Sequence, residues 1–149
     1  MPDSLVLEYP APEPAASATF MLSKLHYHCD AWDLAEDLKN GVEDIIVIDA
    51  RSREHYHSGH IPGAISLPHR EMNETTTASL AGDKVYVVYC DGIGCNGSTK
   101  GAYKLACHGF KVKELLGGLD FWQRDGHPTV HGDAPGSMRG ATLTDCGCA

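Results

Sequence analysis

One stretch limits what this chain can fold into more than any other: Lys84 to Phe110, KVYVVYCDGIGCNGSTKGAYKLACHGF. Val85, Tyr86, Val87, Val88 and Tyr89 are all β-branched or aromatic, a short unbroken apolar run that reads as a buried strand. Ala102, Leu105, Ala106 and Phe110 recur at helical spacing, and Gly109 is placed to end that helix. Between them lies a glycine-rich loop, Cys90-Asp91-Gly92-Ile93-Gly94-Cys95-Asn96-Gly97-Ser98. A cysteine there sits at the carboxyl edge of a sheet and faces the free N–H groups of a helix N-terminus. Those groups favour negative charge, so they lower a thiol's pKa and cradle an anion. Physics alone makes Cys90 a reactive thiolate.

The rest of the chain alternates strand and helix. Asp44-Ile45-Ile46-Val47-Ile48-Asp49 is an apolar run ending in a carboxylate, a central parallel strand with Asp49-Ala50-Arg51 at its carboxyl end. Upstream, His26-Tyr27-His28 reads as a short strand, and Asp30 caps a helix that ends at Asn40-Gly41. Ser52 caps a short helix through Tyr56, stopped by Gly59, and Pro62 and Pro68 confine Ile65-Ser66-Leu67 to a brief edge strand. Glu71 to Thr77 forms a linking loop and short helix. Lys111–Leu116 is a further strand, and Leu119, Phe121 and Trp122 belong to a short helix with its aromatic face inward. The fold class is α/β, one domain with a mostly parallel central sheet flanked by helices. The domain is expected over residues 19–130, after a mobile Pro/Ala-rich segment 1–18 whose neighbours Phe20, Met21, Leu22 and Leu25 dock on it. A flexible tail, 131–149, carries Cys146 and Cys148.

Composition excludes several function classes. At 149 residues and 42% hydrophobic, the chain buries one full core. A net charge of −8 argues against nucleic-acid and anionic-membrane partners, which need clustered Lys and Arg. No apolar run approaches the roughly 20 residues of a membrane helix, and no basic region precedes an apolar one as in a secretory signal. Six cysteines in a chain with an adequate core point to a reducing cytoplasm rather than a disulfide scaffold. His26, His28 and Cys29 lack a matching second ligand pair, so no metal and no cofactor is assigned. His55 and His57 read as surface residues and His60 as a structural histidine at a turn. Cys107, on the helix, reads as an inert core residue.

Three separated segments together resemble the rhodanese (sulfurtransferase) family: Asp49-Ala50-Arg51 at a strand end; Tyr56-His57-Ser58-Gly59-His60-Ile61-Pro62-Gly63-Ala64; and Cys90 after a hydrophobic strand, followed by Gly117-Gly118 and Trp122. The second fits the family's pattern of an aromatic, three residues and His-Ile-Pro-Gly-Ala. The loop is similar to that of single-domain members reading Cys-x-Gly-x-x-Cys-Asn-Gly. The resemblance implies that Cys90 takes a sulfane sulfur from thiosulfate, mercaptopyruvate or a persulfide or polysulfide, and yields it to a thiol, cyanide or a protein thiol. It implies that Asp91, Gly92, Ile93, Gly94, Cys95, Asn96, Gly97 and Ser98 hold the anion, and that Asp49, Arg51 and His60 support the site.

Two departures from the commoner family pattern stand out. No Lys or Arg lies between Cys90 and Lys100, and the loop is about two residues longer. A wider, less cationic pocket is expected, poorly suited to thiosulfate. The longer loop also resembles rhodanese-related phosphatases, but the arginine they keep for a phosphoryl group is missing here. Cys95 has two readings: a resolving thiol that closes a disulfide with Cys90, or a residue that starts the helix and packs inward. The first leads to an alternative function, a redox sensor or interaction module built on a Cys90/Cys95 pair. Asn96 and Ser98 are natural helix caps, and Ser98 is a further donor to a bound anion.

Overall fold

Five short strands pair in parallel, in the order β1-β5-β4-β2-β3, in a computed structural model that describes residues 3–139. The strands are β1 His28–Cys29, β2 Ile45–Asp49, β3 Ile65–Ser66, β4 Val85–Tyr89 and β5 Lys111–Leu115. Helices α1 Pro14–Tyr27, α2 Ala31–Lys39, α3 Arg53–Ser58, α4 Glu74–Thr77, α5 Gly97–Cys107 and α6 Gly118–Arg124 connect and flank them. The apolar runs of β2 and β4 are buried on both faces, as a central parallel strand requires.

Alternation along those strands divides the core in two. Val47, Val87 and Tyr89 pack against α2, α3 and α6 through Leu34, Tyr56 and Trp122. On the other face Ile48, Tyr86 and Val88 pack with Leu67, Met72 and Leu105. β3 lies at one edge, where Pro62 and Pro68 leave it two residues long.

Local signals set most boundaries. The Asp30 carboxylate accepts from Asp33 N–H at 2.8 Å and starts α2, and the Ser52 hydroxyl accepts from His55 N–H and starts α3. Gly109, at φ +91°, ends α5 in the left-handed region.

Four expectations need correction. α1 begins at Pro14, inside the segment 1–18, and runs through His26 and Tyr27, so β1 starts only at His28. Pro is at home in a first helical turn, where its missing N–H has no partner to lose. Phe20, Met21, Leu22 and Leu25 stay exposed, and α1 buries no residue. Phe121 is 41% exposed while Trp122 is fully buried, because adjacent residues of α6 point about 100° apart. Residues 131–139 pack onto the domain: Val130 and His60 exchange backbone hydrogen bonds at 2.9 Å, and Met138 is buried in the core beneath α2 and β2. Cys146 and Cys148 lie outside the described residues.

Candidate active site

The strand order makes the crevice. β2 connects outward to β3 at one edge, whereas β4 connects to β5 on its other side, so the loops leaving these adjacent strands diverge. Asp49 and Tyr89 are register partners, which puts Ala50-Arg51 beside Cys90-Asp91 at the carboxyl edge. A cleft of about 580 Å³ lies here, lined by Arg51, Arg53, His55, His69, Arg70, Cys90, Asp91 and Cys95.

Cys90 follows β4 directly and is 4% exposed. Its loop is held from behind: Leu119 N–H donates to the Cys90 carbonyl at 2.9 Å and Asp120 N–H to the Asp91 carbonyl at 2.8 Å. Gly117 and Gly118, both at positive φ, let α6 start this close. A Cβ on Gly118 would strike the Cys90 carbonyl oxygen and stand 3.0 Å from the Gly92 nitrogen. Gly97, the first residue of α5, has an equally specific role. A Cβ there would lie 2.9 Å from Cys90 Sγ, 3.3 Å from His69 Cδ2 and 3.4 Å from Cys95 Sγ. The absent side chain lets the sulfur sit against the helix start. The N–H groups of Asp91, Gly92, Ile93, Gly94 and Asn96 donate to no other group of the described residues.

Cys90 and Cys95 are joined in a disulfide, with Cα atoms 6.3 Å apart. The Cys95 sulfur therefore lies beside that of Cys90 rather than apart from it. Cys95 N–H donates to the Gly92 carbonyl at 3.1 Å, a turn that brings the chain back, and Gly97 N–H donates to Cys95 Sγ at 3.4 Å.

Arg51 and Asp49 form a buried support under this edge. The Arg51 guanidinium donates to both Asp49 oxygens (2.7 Å from Nη2), to the Gly59 carbonyl at 2.7 Å and to Asp91 at 3.2 Å. Burial opposes its charge, but Asp49 outweighs that and holds its pKa above the ordinary value. Tyr89 OH donates to Asp49 at 2.7 Å and accepts from Ile61 N–H, and burial next to that carboxylate pushes its pKa up. His60 is fully buried, stacked on Tyr56 with ring centroids 3.6 Å apart, and its ring nitrogens face the carbonyls of Tyr56, Ala134 and Pro135. His55 and His57 are exposed.

Several loop residues stand elsewhere than expected. Ser98 is buried and donates to Glu114 at 2.6 Å, so its hydroxyl hydrogen is already engaged rather than free for an anion. Asn96 occupies the N-cap position of α5 without a side-chain cap bond. Cys107 is exposed, because it falls on the outer face of α5. Cys29 is no rival nucleophile: burial pushes its thiol up to about 12.

Sequence reasoning also missed the opposite wall of the cleft. His69 and Arg70 arrive on a single 3₁₀ turn, His69–Glu71, anchored by Lys104 Nζ to the His69 carbonyl at 2.8 Å. Arg53 pairs with Glu71 at 2.8 Å, and Arg70 has no ion-pair partner among the described residues. Burial lowers the His69 pKa, with Lys104, Lys100 and Arg70 adding to it. The cleft therefore has cations, Arg51, Arg53 and Arg70, beside the carboxylates of Glu54, Glu71 and Asp91. The basic pair His69-Arg70 after Pro68 was visible in sequence, but nothing local connects it to Cys90.

Comparison with known proteins agrees with this geometry. The model of the rhodanese-like domain matches residues 32–125. Thiosulfate sulfurtransferase GlpE of Coxiella burnetii is 32% identical over 111 residues, 73% of this chain and 94% of that protein. The HTH-type transcriptional regulator Rv0324 of Mycobacterium tuberculosis is 34% identical over 96 residues, 60% of this chain and 42% of the regulator. Among solved structures, the BH2092 protein of Bacillus halodurans superposes with a TM-score of 0.78 at 38% identity, covering 92% of this chain and all of that one. With the family model spanning more than half its length, and the parallel sheet and cysteine loop in place, this chain belongs to the rhodanese-like domain family.

Proposed function

We propose that this protein is a sulfurtransferase that carries a sulfane sulfur on Cys90 from a donor to a thiophilic acceptor. Family membership and the GlpE relative support chemistry of the sulfurtransferase type. The observation that carries the reading to Cys90 is its setting: a sulfur at the end of β4, against the start of α5, under unpaired loop amides and open to the cleft. In the reduced protein the Cys90 thiolate attacks the outer sulfur of the donor. The donor's sulfur–sulfur bond breaks, and the remainder leaves as an anion, sulfite in the case of thiosulfate. The persulfide then loses its outer sulfur to an acceptor thiol or to cyanide, and the Cys90 thiolate returns. The loop amides stabilise the anions of both steps, and Arg70, with no ion-pair partner among the described residues, offers an anionic donor counter-charge. Asp49, Arg51 and His60 hold the edge in shape without touching sulfur.

The test is an intact mass of the reduced protein after brief exposure to thiosulfate, mercaptopyruvate and inorganic polysulfide in turn. A gain of one sulfur mapped to Cys90 is expected with at least one donor. Cys90→Ser loses sulfur transfer down to the uncatalysed background while keeping its far-UV signature and melting temperature. Unchanged turnover in that variant would sink the reading.

The Cys90–Cys95 bond favours one second reading, a redox or interaction module with the same fold. It predicts reversible closure of the disulfide under mild oxidant and negligible turnover with every donor.

A further inference from the structure

We infer that Cys95 resolves the Cys90 persulfide and expels its outer sulfur as hydrosulfide, so that the same loop reduces persulfide sulfur as well as transferring it. The inference rests on the sulfur-transfer reading. Its footing is the placement of the two sulfurs. Cys95 returns to Cys90 through the turn closed by its own N–H on the Gly92 carbonyl, and the two side chains are bonded. Both line the open cleft. A purely structural bridge fits poorly here: it closes a loop of five residues, the kind that adds least to stability, and it blocks the cysteine on which the family's chemistry depends. The missing Gly97 side chain leaves room for both sulfurs at the start of α5, where a Cβ would stand 2.9 Å from Cys90 Sγ and 3.4 Å from Cys95 Sγ. An outer sulfur on Cys90 has the cleft that Cys90 lines to leave through. Gly97 N–H donates to Cys95 Sγ at 3.4 Å and holds that sulfur at the start of α5.

The step balances. The Cys95 thiolate attacks Cys90 Sγ, the inner sulfur of the persulfide, and the Cys90–Cys95 bond forms. The bond from Cys90 Sγ to the outer sulfur breaks, and that sulfur leaves as hydrosulfide with the persulfide proton. The outer sulfur gains two electrons, and the cysteine pair loses two. An external dithiol then reduces the disulfide and restores both thiols. The disulfide form is thus a station of the cycle.

The experiment loads the reduced full chain with inorganic polysulfide and removes excess reagent rapidly. It then follows free sulfide and intact mass with no thiol present. The expected result is decay of the wild-type persulfide to the Cys90–Cys95 disulfide, with release of one equivalent of hydrosulfide per chain. Cys95→Ser and Cys95→Ala keep the added sulfur on Cys90 at least about tenfold longer, until added cyanide removes it as thiocyanate. If the wild-type persulfide lasts as long as that of both variants, or releases sulfide without forming the disulfide, the inference is overturned. Cyanide removal of the sulfur would in that case leave the transfer reading standing. If Cys90 takes up sulfur in none of the three proteins, both fall together.

Discussion

Asp49 has no exposed surface and accepts hydrogen bonds from Arg51 and Tyr89, so the charges at this strand end are tied to one another rather than to water. Asp49→Asn leaves the Arg51 guanidinium, itself 5% exposed, without its closest counter-charge. Loss of one member of a buried pair costs about 3–5 kcal/mol, and urea unfolding should show a shift of that order. In the sequence, a supporting role for Asp49 and Arg51 is implied only by the family resemblance of Asp49-Ala50-Arg51. The chain does not tell that Ser98 donates to Glu114, since those residues are brought together only when β5 lines up beside β4. Nor does it tell that His69 faces Gly97, because that contact crosses from a turn after β3 to the start of α5.

The junction between the cysteine loop and α5 is where an element is fitted to chemistry. Gly97→Ala favours the helix by about 1 kcal/mol in intrinsic propensity, yet its Cβ would stand 2.9 Å from Cys90 Sγ. Stability and reactivity should separate in this variant. Sulfur uptake on Cys90 falls by about tenfold or more, equivalent to roughly 1.4 kcal/mol, while the melting temperature changes little. An equal fall in both would argue that the glycine serves the helix alone. At this scale the strands and caps were legible because burial on both faces and a hydroxyl or carboxylate before a helix are local signals. α1 was not, because its apolar residues, exposed in the structure, mimic a docked segment, and Pro14 opens the helix in a stretch whose prolines suggested extended chain. Cys107 misled for a related reason: a cysteine next to Ala106 looks apolar, but both fall on the outer face of α5.

For the molecule as a whole, titration of buried histidines sets the response to acid. His127 is 8% exposed, packs on Trp122 at 4.7 Å between ring centroids, and has no hydrogen-bond partner for either ring nitrogen. Burial pulls its pKa down, against Asp125 and Glu36 and with Lys39, and His69 is lowered too. A histidine whose folded pKa is depressed takes up its proton more readily when unfolded. Its contribution is therefore intact above the ordinary histidine value and is lost as pH falls below it. The melting temperature should drop from pH 7 to pH 5, and His127→Phe should flatten that slope; an unchanged slope would place the acid sensitivity elsewhere. The parallel sheet and the placing of its site at the carboxyl edge were readable at this scale from alternation of strand and helix. The extent of the folded unit was not, since Gly, Ala and other small residues prevail after His131 and resemble a loose end. The family match stops at residue 125, but His60, at the centre of the molecule, leans on the carbonyls of Ala134 and Pro135, and Met138 fills the core. The packed unit thus extends beyond the family match. A cut after Val130 would spare every strand and still register as lost cooperativity, so trimming this end amounts to partial unfolding.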